Sequence, residues 1–401
     1  MQKKFTLSAL FLLILLFLQF KVVAHEIENA SMYIRFYNLE TDTLKSGDTD
    51  STSKISKLDK FGETMELVVK YSPLPVVSYS PITNWLFGLT KINSFRIADD
   101  QKDTTVQPSQ VTALAYLTLN NQYKFALNVS LMFGKNKYKS STSFFMFNFP
   151  EYFYGIGNDT KKEDACLIQY KNISFSEAFS YRVTKRWYIG MKYTYANYTE
   201  VDTTTGEHCL DYENISNNEG VQSGIGIRFA RETRDNRFNA RKGSFFFFEY
   251  TNFGKWIGSD FAYNTLSINY RKYITPLKWL TIAGEVQAKA IYGDPPVQSL
   301  SLMGGDKRMR GIYKGRFRDK TIIDTQVEFR FPIVWIFGGV LFTGLGEVGE
   351  TFKSYTWQGI KWTYGGGLRL TVHEETRTNL RFDVGFFQGE PLYFFTFSEA
   401  F

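Results

Sequence analysis

The densest chemistry in the chain lies in Met303-Gly-Gly-Asp-Lys-Arg-Met-Arg-Gly-Ile-Tyr-Lys-Gly-Arg-Phe-Arg318. Its glycines at 304, 305, 311 and 315 let the segment fold tightly, and Arg310 is followed at once by Gly311. A guanidinium in such a loop presents a planar fork of donors suited to a carboxylate; the plainer reading is a solvated basic loop. Histidine chemistry is thin, because His25, His208 and His373 lie far apart in the chain. A serine nucleophile would need one of them as its base, and none falls in the middle of a strand-like segment. No Cys/His spacing suggests zinc. The Gly-x-Gly runs at 224–226 and 365–367 sit inside strand-like segments, where glycine relieves curvature rather than cradling phosphate. The residues thus point to no catalytic group, no metal and no cofactor.

The elements that carry these side chains alternate with period two. In 321–331, Ile323, Thr325, Val327, Phe329 and Phe331 share one face, with Asp324, Gln326, Glu328 and Arg330 on the other. In 279–290, Leu280, Ile282, Val286, Ala288 and Ala290 oppose Glu285, Gln287 and Lys289. In 187–195, Trp187, Ile189, Met191, Tyr193 and Tyr195 point one way and Lys192 the other. A helix would mix charge and apolar bulk on every face, so these are strands. Sixteen are expected, at 72–80, 84–96, 106–118, 122–133, 137–148, 166–181, 183–199, 220–232, 242–253, 260–275, 277–292, 319–331, 335–346, 360–372, 377–388 and 391–401. Connections at 182–186, 276–278 and 332–333 are short, whereas 201–219 and 293–318 are long and fall on the opposite side.

Such strands need an apolar environment outside and water inside. No apolar run after the amino terminus is long enough to cross a bilayer as a helix, and in hydrocarbon only helices or barrels satisfy the backbone. With 38 Phe, 25 Tyr and 7 Trp, the chain has the side chains of a lipid-facing wall and its interfacial girdles. The mean hydropathy of −0.25 is no objection, since a barrel hides its apolarity in half of each strand. Tyr393, Phe395, Phe397 and Phe401 are expected on the lipid face of the last strand, as a terminal barrel signal, with Glu399 at the water interface. Residues 1–24 read as a signal peptide, with Lys3 and Lys4 before an apolar stretch and Val22-Val23-Ala24 before His25. Residues 25–71 read as a flexible polar segment in the periplasm. The expected fold is an all-β, sixteen-stranded antiparallel transmembrane β-barrel over 72–401.

The net charge of +7 falls to about +4 once Lys3, Lys4 and Lys21 leave with the leader. That balance is too small and too dispersed for nucleic acid; the expected surroundings are outer-membrane lipid. Cys166 and Cys209 fall near outer loops in an oxidising compartment. A disulfide between them is one reading, two unrelated thiols the other.

At Gly304-Gly305 … Met309-Arg310-Gly311-Ile312, after the eleventh of sixteen strands, the sequence resembles the bacterial surface antigen superfamily, the BamA/TamA-like outer-membrane assembly barrels. Thr233-Arg-Asp-Asn-Arg-Phe-Asn-Ala-Arg-Lys-Gly-Ser244 is similar to the family's inner turn, with Arg234, Asp235, Asn236 and Gly243 in the matching places. Glu328-Phe-Arg-Phe-Pro332, Arg377-Thr-Asn-Leu-Arg-Phe-Asp383 and the terminal Phe-Ser-Glu-Ala-Phe401 resemble its closing strands. The resemblance implies that the long loop folds into the lumen and that Arg310 pairs with acids on the inner wall. By parity Glu328 is the expected partner, with Asp324 one step along.

Two departures stand out. Where the family's next strand carries Phe-x-Asp-x-Gly, this chain reads Phe342-Thr343-Gly344-Leu345-Gly346, so one customary acid is missing. The stretch between His25 and Pro73 is about 48 residues, too short for a POTRA module, so a barrel-only member is expected. The resemblance implies a barrel that helps insert or move proteins or lipids at the outer membrane. Client membrane proteins and the barrel-assembly machinery are its implied partners. Pro73 and Pro75 would weaken pairing between the first and last strands, as a lateral opening requires. A passive or gated pore is the competing reading, with Lys192, Glu285, Gln287, Lys289, Glu328, Arg369, Arg381 and Asp383 lining a mixed-charge lumen.

Overall fold

The computed structural model describes residues 72–80, 84–97, 106–205, 218–373 and 377–401. The expected signal peptide and polar segment up to residue 71, with His25, His208 and Cys209, lie outside the described residues. The strands are β1 (Leu74–Ser80), β2 (Asn84–Phe95), β3 (Ser109–Thr118), β4 (Tyr123–Phe133), β5 (Tyr138–Phe153) and β6 (Cys166–Arg182). They continue as β7 (Trp187–Thr205), β8 (Gly220–Glu232), β9 (Gly243–Phe253), β10 (Tyr263–Leu277) and β11 (Leu280–Gly293). Two short pieces, β12 (Ser301–Leu302) and β13 (Arg318–Asp319), precede β14 (Thr321–Val334), β15 (Phe337–Gly349), β16 (Lys361–His373), β17 (Thr378–Phe387) and β18 (Glu390–Phe397). No described helix is long and apolar enough to cross a membrane.

Sixteen of these strands form one antiparallel sheet in chain order, while β12 and β13 pair separately within the long loop. Each strand meets its sequence neighbour, as up-and-down barrels require. The barrel is open at one seam: β1 is hydrogen-bonded to β2 alone and β18 to β17 alone.

The alternation read from the sequence sets the two faces. Ile323 and Phe329 on β14, Leu341 and Leu345 on β15, and Trp362, Tyr364 and Leu368 on β16 point out, exposed to the bilayer side. Asp324, Gln326, Glu328, Arg330, Thr363, Arg369, Arg381 and Asp383 point in and are buried. A one-residue slip would exchange these faces; the pairing of Glu328 with Phe342 and of Gly367 with Asp383 fixes the register.

Strand ends differ from the sequence reading by up to six residues, most at β7, which runs Trp187–Thr205 rather than 183–199 and so extends into the expected long loop. β5 runs on through Pro150 to Phe153, because the strand continues to pair with β6 on both sides of the proline. The last strand stops at Phe397 rather than 401. Ser398 takes a left-handed φ of 66°, and the following residues turn into the lumen. Tyr393 and Phe395 face outward as expected, each 66% exposed. Phe401 does not share that face: it is buried against Tyr273, Ala240 and Ala283 on the inside. Glu399 is likewise buried rather than at a water interface. An unpaired carboxylate and a free strand end both gain more from partners inside the wall than from continued lipid contact.

Candidate functional site

The connection between β11 and β14 is a folded hairpin inside the barrel. β12 and β13 start it, Met303 N–H donates to the Phe317 carbonyl at 2.9 Å, and Gly305 N–H donates to that of Ile312 at 3.1 Å. Met303, Met309, Ile312 and Phe317 form a small core with Ile322 of β14 and Val348 of β15. This apolar underside explains why a loop rich in Arg and Lys is not simply solvated. A second outer loop covers it: Arg316 donates to the carbonyls of Thr160 at 2.8 Å and Lys161 at 2.9 Å, and Gly157 N–H to that of Arg318 at 2.8 Å.

The hairpin tip delivers Arg310 to the wall. Its guanidinium pairs with Glu328 of β14 and donates to Asp383 of β17 at 2.7 Å, with both carboxylates fully buried. It also lies over the Phe342 ring of β15, 3.6 Å from the centroid. Close approach of the loop backbone makes this reach possible. Gly311 has φ +113°, and a Cβ there would lie 2.6 Å from the Phe386 carbonyl carbon. A Cβ on Gly385 would in turn come within 2.5 Å of the Arg310 carbonyl. Two glycines therefore face each other across the contact. Asp324 does not meet Arg310; it pairs with Arg308 at 3.3 Å.

The two carboxylates are shared. Glu328 also accepts from Arg330 at 2.7 Å, and Asp383 from Arg369 at 2.6 Å. Arg330 then reaches a Phe401 main-chain oxygen at 3.1 Å, and Arg369 reaches Glu399 at 2.8 Å. Arg381 holds the loop at Asp306, donating to its carbonyl at 2.9 Å and lying 3.4 Å from its carboxylate. Four guanidiniums, on Arg310, Arg330, Arg369 and Arg381, thus balance Glu328, Asp383, Glu399 and Asp306. A charge-balanced cluster is the form in which buried charge is tolerable, and here each of the four guanidiniums still keeps one buried nitrogen without an acceptor. Two ion-pair chains lead from one loop residue to the carboxy-terminal tail.

The inner turn between β8 and β9 closes on itself. Asp235 accepts from the N–H groups of Arg241 at 2.9 Å and Lys242 at 3.1 Å, and from the Arg377 side chain at 2.7 Å. Asn236 accepts from Phe238 N–H at 2.8 Å and Asn239 N–H at 2.9 Å, an Asx turn. Arg234 chelates Glu232 at 2.8 and 2.7 Å. A Cβ at Gly243, φ +102°, would collide with the Thr233 carbonyl. Ala240 from this turn packs beside Phe401, so turn and tail share one apolar cluster.

Burial works against the charge on Asp235, yet the Arg377 guanidinium and the Lys242 and Arg241 amides hold its carboxyl below the usual range. A lowered folded-state value contributes stability at neutral pH that fades as pH falls through it. Asp235→Asn is expected to cost about 1 kcal/mol or less at pH 7, since the pair is partly exposed. In gel-shift melting of the folded barrel, the gap between variant and wild type should narrow on acidification; an unchanged gap at pH 3 would remove the role given to Asp235.

A family model, the Omp85 superfamily domain, matches residues 110–390, well over half of the chain. The chain belongs to the Omp85 superfamily. Among solved structures, BamA from Haemophilus ducreyi lacking POTRA domains 1–3 is similar at 12% identity and a TM-score of 0.50, covering 88% of this chain and 79% of that one. CdiB from Acinetobacter baumannii is similar at 10% identity and a TM-score of 0.49, over 89% of this chain and 70% of that one. No curated protein matches the chain. The BamA likeness speaks to the fold of this Omp85 barrel alone.

Within the Omp85 barrel, Gly344 stands where an acid was expected, and the Met309 sulfur fills the space, 3.2 Å from where a Cβ would be. Asp383, two strands further round, gives Arg310 its second carboxylate. The sequence reading had put Asp383 on the lumen wall without assigning it to Arg310. Arg330 and Glu399 as links to the tail were not foreseen; their signal was charge at lumen-facing parity beside Glu328 and at the end of an aromatic stripe. Cys166 is buried and disulfide-bonded, whereas Cys209 lies outside the described residues. Among the described residues no group of His, Cys, Asp and Glu could hold a metal ion.

Proposed function

We propose that this barrel assists insertion or translocation of proteins or lipids at the outer membrane of a Gram-negative cell, opening along the β1–β18 seam. The observation that carries the reading is the unpaired seam, beside a lumen whose loop and tail are fastened by one buried charge cluster. Arg310, Gly311 and Glu328 act as the lock that keeps the loop inside, with Asp324 steadying the tip through Arg308. Superfamily membership supports a role with client membrane proteins and the assembly machinery rather than an enzymatic one.

Depleting the protein and quantifying the outer-membrane proteome tests this. Levels of several other barrels are expected to fall; an unchanged profile of proteins and lipids would defeat the proposal. A pore reading is favoured by the charged lumen, where Lys192 pairs with Glu249 at 2.7 Å and Lys289 lies nearby in a chamber of about 320 Å³. With the loop inside, single-channel current of the wild type should be small and should rise severalfold when residues 304–316 are deleted. A large steady current in the wild type would favour the pore.

A further inference from the structure

Away from the Arg310 cluster, the inner ends of β5 to β9 and the inner turn surround a second group of cations. Lys139 of β5, Arg228 of β8 and Arg237 of the turn line a pocket of about 50 Å³, backed by Phe245 and Phe247 of β9. Three carboxylates stand near, of which Glu177 acts on Arg228 and accepts from the Ser140 hydroxyl at 2.7 Å and from that of Thr142. Glu232 is chelated by Arg234, and Glu249 is shared by Lys192 at 2.7 Å and Arg228 at 3.0 Å. The charges acting on Lys139 are those of Arg237, Arg228 and Arg234 against Glu232, so the balance at its ammonium is positive.

Two of these cations make no ion pair with a described residue. Lys139 makes no hydrogen bond or ion pair with any described residue. Arg237 donates through one nitrogen to the Ser130 hydroxyl at 2.9 Å, while its other terminal nitrogen is buried with no acceptor. Burial, and next the like charge of Arg234, push the Arg237 guanidinium down to about 10 against the opposing charge of Glu232. A buried donor without a partner is costly, and a structure that keeps the Arg237 nitrogen beside the Lys139 ammonium around one pocket gains from a bound anion. The space suits a small one: at roughly 10–15 Å³ per water-sized site, it accepts about four oxygens.

We infer that the Lys139–Arg237 pocket binds a phosphate oxyanion, carried either by inorganic phosphate or by a phospholipid headgroup. Arg237 supplies directed N–H donors, Lys139 a mobile ammonium, and the Phe245 and Phe247 rings an apolar wall, while Glu232, which also lines the pocket, is held by Arg234. Because the pocket lies at the short-turn end, beside the turn that touches Phe401, its occupant would reach it from the inner side of the membrane.

The test uses the purified full-length barrel in a maltoside detergent free of phosphate groups, at constant ionic strength. Calorimetric titration is run with inorganic phosphate and, separately, with short-chain phosphatidylglycerol. Saturable binding of either is expected, weakened at least tenfold in Lys139→Met and in Arg237→Gln. Lys289→Met, whose cation lies in the other lumen chamber, should bind as the wild type does. Binding of phosphate alone assigns the site to the free ion, and binding of the lipid alone assigns it to a headgroup. The absence of saturable binding to both, or an equal loss in Lys289→Met, would overturn the inference. Heat-modifiability on gels checks that each variant is folded, and Arg237→Gln, on a turn, serves if Lys139→Met fails that check.

Discussion

Arg310→Ala is expected to lower the stability of the folded barrel by about 3–5 kcal/mol, the cost of removing one partner from a buried ion pair. The substitution strands Glu328 and Asp383 at full burial, although Arg330 and Arg369 still neutralise each in part. It also uncovers the Phe342 ring and unfastens a hairpin whose tip depends on that contact. The measurement is the temperature at which the compact band is lost on a gel, together with the yield of folded protein. Arg310→Lys should recover little, because a point charge cannot bridge two carboxylates and stack on a ring at once. A wild-type melting profile for Arg310→Ala would show that the buried cluster holds nothing in place.

Much of this architecture is readable from the chain because the barrel imposes a simple rule on it. Lipid outside and water inside force period two, so 321–331 and 187–195 declare their faces without any tertiary information. The same parity puts Glu328 and Asp383 on the lumen side. What parity cannot give is distance around the wall. Asp383 lies 73 positions beyond Arg310, and its role depends on how β15 and β16 curve between β14 and β17. Glycines at 344, 346 and 385 thin that stretch of wall and let the loop approach, but a row of glycines does not announce which carboxylate is reached.

The tail shows a different limit. The alternation of Tyr393, Phe395 and Phe397 extends naturally to Phe401, and nothing at Ser398 resembles a helix stop or a glycine turn. The reversal comes from the lumen, where Arg369 and Asn379 bind the Glu399 carboxylate at 2.8 and 2.7 Å. Interior partners at distant positions outweigh a local pattern, and only the break made by Glu399 in the aromatic stripe hinted at it. β5 illustrates the same priority, since pairing with β6 carries that strand through Pro150 despite the missing donor.

Phe401→Ala should therefore destabilise the barrel by about 3 kcal/mol, near the lower end for a buried aromatic because a chain end can relax. Phe401 is 5% exposed, packs 6.2 Å from the Tyr273 ring, and lies under the Arg330 guanidinium at 5.2 Å. Tyr393→Ala and Phe395→Ala supply the contrast. Both side chains face outward, so in detergent their loss should cost much less than that of Phe401. Equal losses from all three, or a larger loss from Phe395, would return Phe401 to the lipid face. The consequence reaches the seam as well. With the tail anchored by Glu399 and Phe401, the chain beyond β18 is turned into the lumen, and among the described strands β18 pairs with β17 alone. Releasing it frees that backbone to extend toward the inner end of β1, so cysteines placed at Ser72 and Ser398 should cross-link faster in Phe401→Ala than in the parent. A slower or unchanged rate would mean that the tail does not govern the opening.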